Sequence, residues 1–175
     1  MSKENIKHII HSLNKSGLKY LIVGGFAVIA HGYVRYTADL DIVIAIDHDN
    51  IDRLIQVMDK LGYQPRLAVQ ISDMLVDEKR QEWIEEKNMV VFSLISEQYK
   101  LIPIDIFIRE PFNFEEELEH AEWIELGEGL KAPFVRIEQL IQMKKESGRE
   151  KDTLDHEKLV EIMKLNHEKR KKSKK

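Results

Sequence analysis

Cysteine is absent from this 175-residue chain, which excludes disulfides, zinc–thiolate centres and thiol nucleophiles. Proline is scarce at four residues, and the eight glycines are scattered except for one adjacent pair, Gly24-Gly25. Repeats and low-complexity linkers are therefore absent apart from a basic C-terminal stretch. No apolar run is long enough to cross a bilayer. The longest, YLIVGGFAVIA, is interrupted by the glycine pair and falls well short of the ~20 residues a spanning helix needs. The opening MSKENIKHII has no apolar signal core, so a soluble protein of the reducing cytoplasm is expected, with no membrane partner.

What is present is an ordinary globular composition, 43% hydrophobic and 33% charged, in a chain long enough to bury one substantial core. The net charge of −4 conceals an asymmetry. Lys164–Lys175 contains seven basic residues and one Glu, a surplus of +6 that leaves −10 for the rest. A basic end of this kind is most simply a solvated terminus, although it could also touch RNA phosphates.

Hydrophobic periodicity predicts the order of elements. Ile6, Ile9, Ile10 and Leu13 are spaced for a helix ending at Ser16-Gly17. LKYLIV is a short buried strand, Phe26–His31 a helix directly after the glycines, Asp39–Ile46 a strand and Ile51–Leu61 a helix. A short strand is expected around Arg66–Val69 and a charged helix over Asp77–Lys87. Strands Met89–Ile95 and Leu101–Ile108 follow, then helices Ile137–Ser147 and Arg149 to about Lys164. This pattern predicts an α/β (α+β) fold, a mixed sheet with helices packed on one face and C-terminal helices. The expected organisation is a core over 1–135, a C-terminal helical segment over 136–166 that completes the site, and a basic disordered tail over 167–175.

The chemistry concentrates in GGFAVIAHGYVRYTADLDIVIAI, Gly24–Ile46. Side chains alternate across a strand, so Asp39, Asp41 and Val43 share one face while Leu40, Ile42 and Ile44 share the other. The later strand repeats the design: Ile102, Ile104, Ile106 and Ile108 on one face, Asp105 on the opposite one. If both isoleucine faces pack against helices, Asp39, Asp41 and Asp105 emerge together. Three converging carboxylates repel one another unless cations lie between them, and two magnesium ions roughly 4 Å apart are the arrangement that serves phosphoryl-type transfer. Pairing with Arg or Lys in a core network is the non-catalytic alternative. Gly24-Gly25, between strand and helix, lets backbone approach a phosphate closely.

A Gly-Gly pair, a short helix, an Asp-x-Asp opening a strand and one more Asp on a later strand resemble the DNA polymerase β-type nucleotidyltransferase superfamily. The version here is similar to small bacterial and archaeal members, among them AbiEii-type toxins of toxin–antitoxin systems and the lincosamide- and aminoglycoside-modifying enzymes. The likeness covers Lys19–Ile108. It implies that Asp39 and Asp41 bind two Mg²⁺ ions with the triphosphate of an NTP, that Gly24 and Gly25 hold the β- and γ-phosphates, and that Asp105 completes one metal site and assists deprotonation of an acceptor hydroxyl. Arg35 and Thr37 match an Arg-x-Thr of many relatives, with Arg35 on phosphate or in an ion pair that holds the loop.

Near the C-terminus, Lys144, Arg149, Asp152 and Asp155 fall on the core-facing stripe of two helices and resemble an element of the AbiEii-type toxins. By that likeness Lys144 contacts nucleotide phosphate, while Arg149 and Asp152 shape the pocket; helix-start electrostatics is the other reading. The implied activity is transfer of a nucleoside monophosphate to a hydroxyl of RNA, a small molecule or a protein, with release of pyrophosphate. The alternative is a non-catalytic nucleotide- or partner-binding module on the same fold. A homodimer is compatible with the sequence, but no stripe demands one.

Overall fold

The computed structural model describes residues 3–172. Its framework is a seven-stranded mixed sheet in the order β3-β4-β5-β2-β1-β7-β6, formed by β1 (Tyr20–Ile22), β2 (Leu40–Ile44), β3 (Tyr63–Pro65), β4 (Val91–Ser96), β5 (Ile104–Phe107), β6 (Glu122–Glu125) and β7 (Lys131–Phe134). The helices are α1 (Lys3–Ser16), α2 (Gly24–Ala30), α3 (His48–Lys60), α4 (Asp77–Lys87), α5 (Phe114–Glu119), α6 (Ile137–Ser147) and α7 (Glu150–Lys172).

The strand periodicity decides which face is core. Leu40, Ile42 and Ile44 of β2, Ile104 and Ile106 of β5, and Phe92 and Leu94 of β4 are almost wholly buried. They share one apolar cluster with Ile6, Ile9, Ile10 and Leu13 of α1 and Ile51, Leu54, Val57 and Met58 of α3. At ~1.5–3 kcal/mol for each large aliphatic side chain removed from water, this face fixes register, because a one-residue slip would turn the isoleucines outward. Asp47 caps α3 by accepting from the Asn50 amide (2.9 Å). The buried Asn50 side chain in turn accepts from the Lys19 amide (2.8 Å) and donates to the Lys19 and Ala45 carbonyls, tying the entry of β1 to the exit of β2.

Four expectations are corrected. The strand expected around Arg66–Val69 lies earlier, at Tyr63–Pro65. Helix α2 begins at Gly24 rather than Phe26. The segment 114–134, unassigned from the sequence, forms α5 and the antiparallel β6–β7 pair. Finally, α7 continues through Lys172, so residues 167–172 of the expected disordered tail are helical; 173–175 lie outside the described residues. Among the described residues no helix is long and apolar enough to cross a membrane.

Candidate active site

Strands β2 and β5 run parallel and adjacent, with Asp41 directly beside Asp105. Asp39 precedes β2 by one residue, where the Leu40 amide donates to the Pro103 carbonyl (2.9 Å) and holds the strand entrances together. The register extends the row. Ser93 of β4 lies opposite Asp105, and its hydroxyl donates to Asp105 Oδ1 at 2.6 Å. One residue past β3, the Arg66 amide donates to the Ser93 carbonyl (2.9 Å). Arg66, Ser93, Asp105 and Asp41 thus form one cross-sheet row on the face opposite the isoleucines.

The negative charge of the row is only partly relieved. Burial, then the neighbouring Asp105 and Asp39 charges, push the Asp41 carboxyl up to about 6, against the opposing pull of the Gly25 amide and Lys144. Asp105 is also raised, first by burial and then by Asp39, while the Ser93 hydrogen bond and Arg66 act in the other direction.

The glycine pair is required by close approach. Gly24 has φ +62°, and a Cβ there would lie 2.0 Å from Asp41 Oδ2. The Gly25 amide donates to that same oxygen at 3.4 Å. A Cβ on Gly25 would lie 2.3 Å from Thr37 Oγ1 and 2.8 Å from Thr37 Cβ. Thr37 therefore fills the space a side chain at 25 would need. Gly25→Ala is expected to cost about 1–3 kcal/mol, as overpacking does. Thr37→Gly should recover most of that loss in a double-mutant cycle read by urea denaturation, and an additive pair would refute the packing argument.

Arg35 makes the ion pair, one of its two expected roles. Its Nη2 donates to Asp155 Oδ2 (2.9 Å) and its Nε lies 2.8 Å from Asp155 Oδ1, although the Nε–H is not well aimed at that oxygen. Nη1 donates to the Tyr36 carbonyl (2.7 Å). Lys144, buried on α6, sits between Asp152 Oδ1 (2.5 Å) and Asp155 Oδ2 (2.9 Å), both aspartates being fully buried on α7. Arg149 Nε donates to Asp152 Oδ2 (2.5 Å) from a side chain that is 63% exposed, and the Ser147 hydroxyl donates to the same oxygen. Burial opposes ionisation of Asp152, but the Lys144, Ser147 and Arg149 hydrogen bonds prevail and bring it down to about 2. Gly148, at φ +65°, makes the turn between the two helices. The C-terminal quartet is therefore a network that clamps α6, α7 and the loop ahead of Asp39. Lys144 also acts electrostatically on Asp41 of the acidic row.

Among the described residues, no three His, Asp or Glu side chains are drawn in closely enough to hold an ion alone. Magnesium usually takes only one or two carboxylates and fills its octahedron with water and substrate phosphates. The oxygen donors of Asp39, Asp41 and Asp105 beside the Gly24-Gly25 backbone turn fit that donor demand. Sequence reasoning missed Ser93 and Arg66. The signal for Ser93 was a lone hydroxyl within VVFSLI, informative only once its partner strand is known.

No protein-family model and no curated protein matches the sequence. Solved structures do. The lincomycin-bound lincosamide antibiotic adenylyltransferase LnuA matches with TM-score 0.58 at 18% identity, over 93% of this chain and 98% of that one. An antigenic nucleotidyltransferase-like protein from Paracoccidioides brasiliensis matches with TM-score 0.56 at 18% identity, over 93% and 75%. The solution structure of the antibiotic-resistance factor ANT(2'')-Ia matches with TM-score 0.53 at 16% identity, over 98% and 93%. The chain has the fold of these nucleotidyltransferases.

Proposed function

We propose that the protein is a magnesium-dependent nucleotidyltransferase that moves a nucleoside monophosphate from an NTP to an acceptor hydroxyl. The observation that carries this reading is the pairing of Asp41 with Asp105 on adjacent parallel strands, within electrostatic reach of Asp39 and against the Gly24-Gly25 turn. The cations that act on the row, Lys144 on Asp41 and Arg66 on Asp105, do not outweigh burial and the repulsion between the carboxylates, so Asp41 and Asp105 both stay raised.

Asp39, Asp41 and Asp105 are the residues to hold Mg²⁺. When bound, the ions neutralise charge on the triphosphate and on the attacking and leaving oxygens. The chain's own residues do the rest. The turn at Gly24-Gly25 admits the phosphates to the backbone, and Thr37 and Arg35 fix the loop that carries Asp39. Ser93 donates to Oδ1 of Asp105, and the remaining lone pairs of that carboxylate would serve the metal and accept the proton of the acceptor hydroxyl. The acceptor oxygen attacks the α-phosphorus in line, the bond to the β-bridging oxygen breaks, and pyrophosphate departs with the electron pair.

The direct test is incubation with each α-labelled NTP, Mg²⁺ and a panel of total tRNA, hydroxylated antibiotics and cell protein. Label transfer accompanied by stoichiometric pyrophosphate is the expected result. NTP binding without pyrophosphate from any pair would favour a non-catalytic binding module instead.

A further inference from the structure

A recess of about 200 Å³ is lined by Pro65, Leu67, Val69, Met89, Val91 and Phe92, together with Ser93 and one charged side chain, Arg66. Ser93 belongs both to this recess and to the carboxylate row. The recess thus lies one side chain from Asp105, whose Oδ1 accepts from the Ser93 hydroxyl at 2.6 Å. Arg66 is exposed, makes no ion pair with any described residue, and lies near enough to act on the Asp105 charge.

We propose that this recess is the acceptor subsite, and that Arg66 selects small acceptors with an apolar body, a hydroxyl at one end and an anionic group at the other. The inference rests on the transferase reading above and adds the class of its second substrate. The volume suits a ring-sized group. The walls are mostly apolar surface, which rewards an apolar body. The guanidinium at the rim is a planar donor suited to a carboxylate or phosphate. The local sign is decisive because the body of the chain carries −10 once the basic end is set aside. At long range that charge draws cations, but an ammonium seated in the recess would face Arg66.

Three matched acceptors test this: 4-(hydroxymethyl)benzoate, its neutral benzamide and the cationic 4-(aminomethyl)benzyl alcohol. Binding is followed by ligand-observed NMR, and transfer from each α-labelled NTP is followed in parallel. The benzoate should bind about fivefold more tightly than the benzamide, as expected for one half-screened ion pair, and the cation should bind most weakly. Arg66→Gln should erase the ranking, and Arg66→Lys should restore part of it. Equal binding, preference for the cation, or a ranking that survives Arg66→Gln would overturn the assignment. So would an equal loss of NTP affinity in that variant, which would place Arg66 on the triphosphate. Ranked binding with label transferred from no NTP would overturn the acceptor role through the transferase reading. Transfer with unranked binding would overturn the recess alone.

Discussion

Asp41→Asn is expected to abolish label transfer and, without divalent cation, to make the protein more stable. The two effects have one origin. Burial and the charges of Asp105 and Asp39 lift the Asp41 carboxyl to about 6, from an ordinary value of 3.8. A carboxyl raised on folding binds its proton more tightly in the native state, so the native state loses stability as the group ionises. The loss begins near pH 4, grows to about pH 6 and is constant above. Asparagine avoids it while still accepting from the Gly25 amide. The gain at pH 7 should be about 1–2 kcal/mol, less than the full shift at 1.36 kcal/mol per unit, because an amide in that position brings donors that need partners. At pH 4 wild type and variant should unfold together. Transfer should fall by at least ~10²–10³-fold, the scale for removing a group that stabilises developing charge. Thermal unfolding in EDTA across pH 4–8, with labelled transfer at pH 7.5, checks both. A variant less stable at pH 7 would mean that Asp41 is held by pairing, as in a core network. Full turnover would remove Asp41 from the chemistry.

The acidic row was legible because two periodicities agreed. Alternation on Asp39–Ile46 and on Leu101–Ile108 put the aspartates opposite the isoleucines, and the glycine pair marked where a backbone turn had to come near. What the sequence could not supply was pairing. That β5 lies beside β2, so that Asp105 abuts Asp41, is a property of strand order; Ser93 and Arg66 acquire meaning only through that same order. The strand at Tyr63–Pro65 was placed late because Arg66–Val69 is the more apolar stretch and Pro65 argues against a strand. On the edge of a sheet, where β3 lies, a proline need not break the ladder. The β6–β7 pair escaped because Glu122–Glu125 is largely exposed and shows no alternation. It is held partly from outside, where buried Glu117 of α5 accepts from the Arg136 guanidinium and amide at the start of α6. Arg35 illustrates the same limit: its partner, Asp155, lies 120 residues away.

That long-range pair sets the largest expected cost in stability. Asp155→Ala should destabilise the protein by about 3–5 kcal/mol, the range for breaking a buried ion pair from one side. Asp155 is 1% exposed and serves two cations, Lys144 from α6 and Arg35 from the loop ahead of β2. Without it Lys144 keeps Asp152, but Arg35 keeps only the Tyr36 carbonyl, and its guanidinium must stay uncompensated or swing into water. Asp155→Asn should cost less, since the amide oxygen still accepts one of these donors. The functional consequence follows from geometry. Arg35 lies two residues before Thr37, which packs against Gly25, so a released Arg35 frees one wall of the glycine turn proposed to admit the phosphates. KM for the NTP should therefore rise several-fold, and kcat should fall with it, because the same loop carries Asp39. Urea unfolding with steady-state kinetics on the Asn variant, the better folded of the two, separates these effects. A cost below 1 kcal/mol for Asp155→Ala would show that water screens the cluster. An unchanged KM would show that the clamp between α7 and the loop is structural alone.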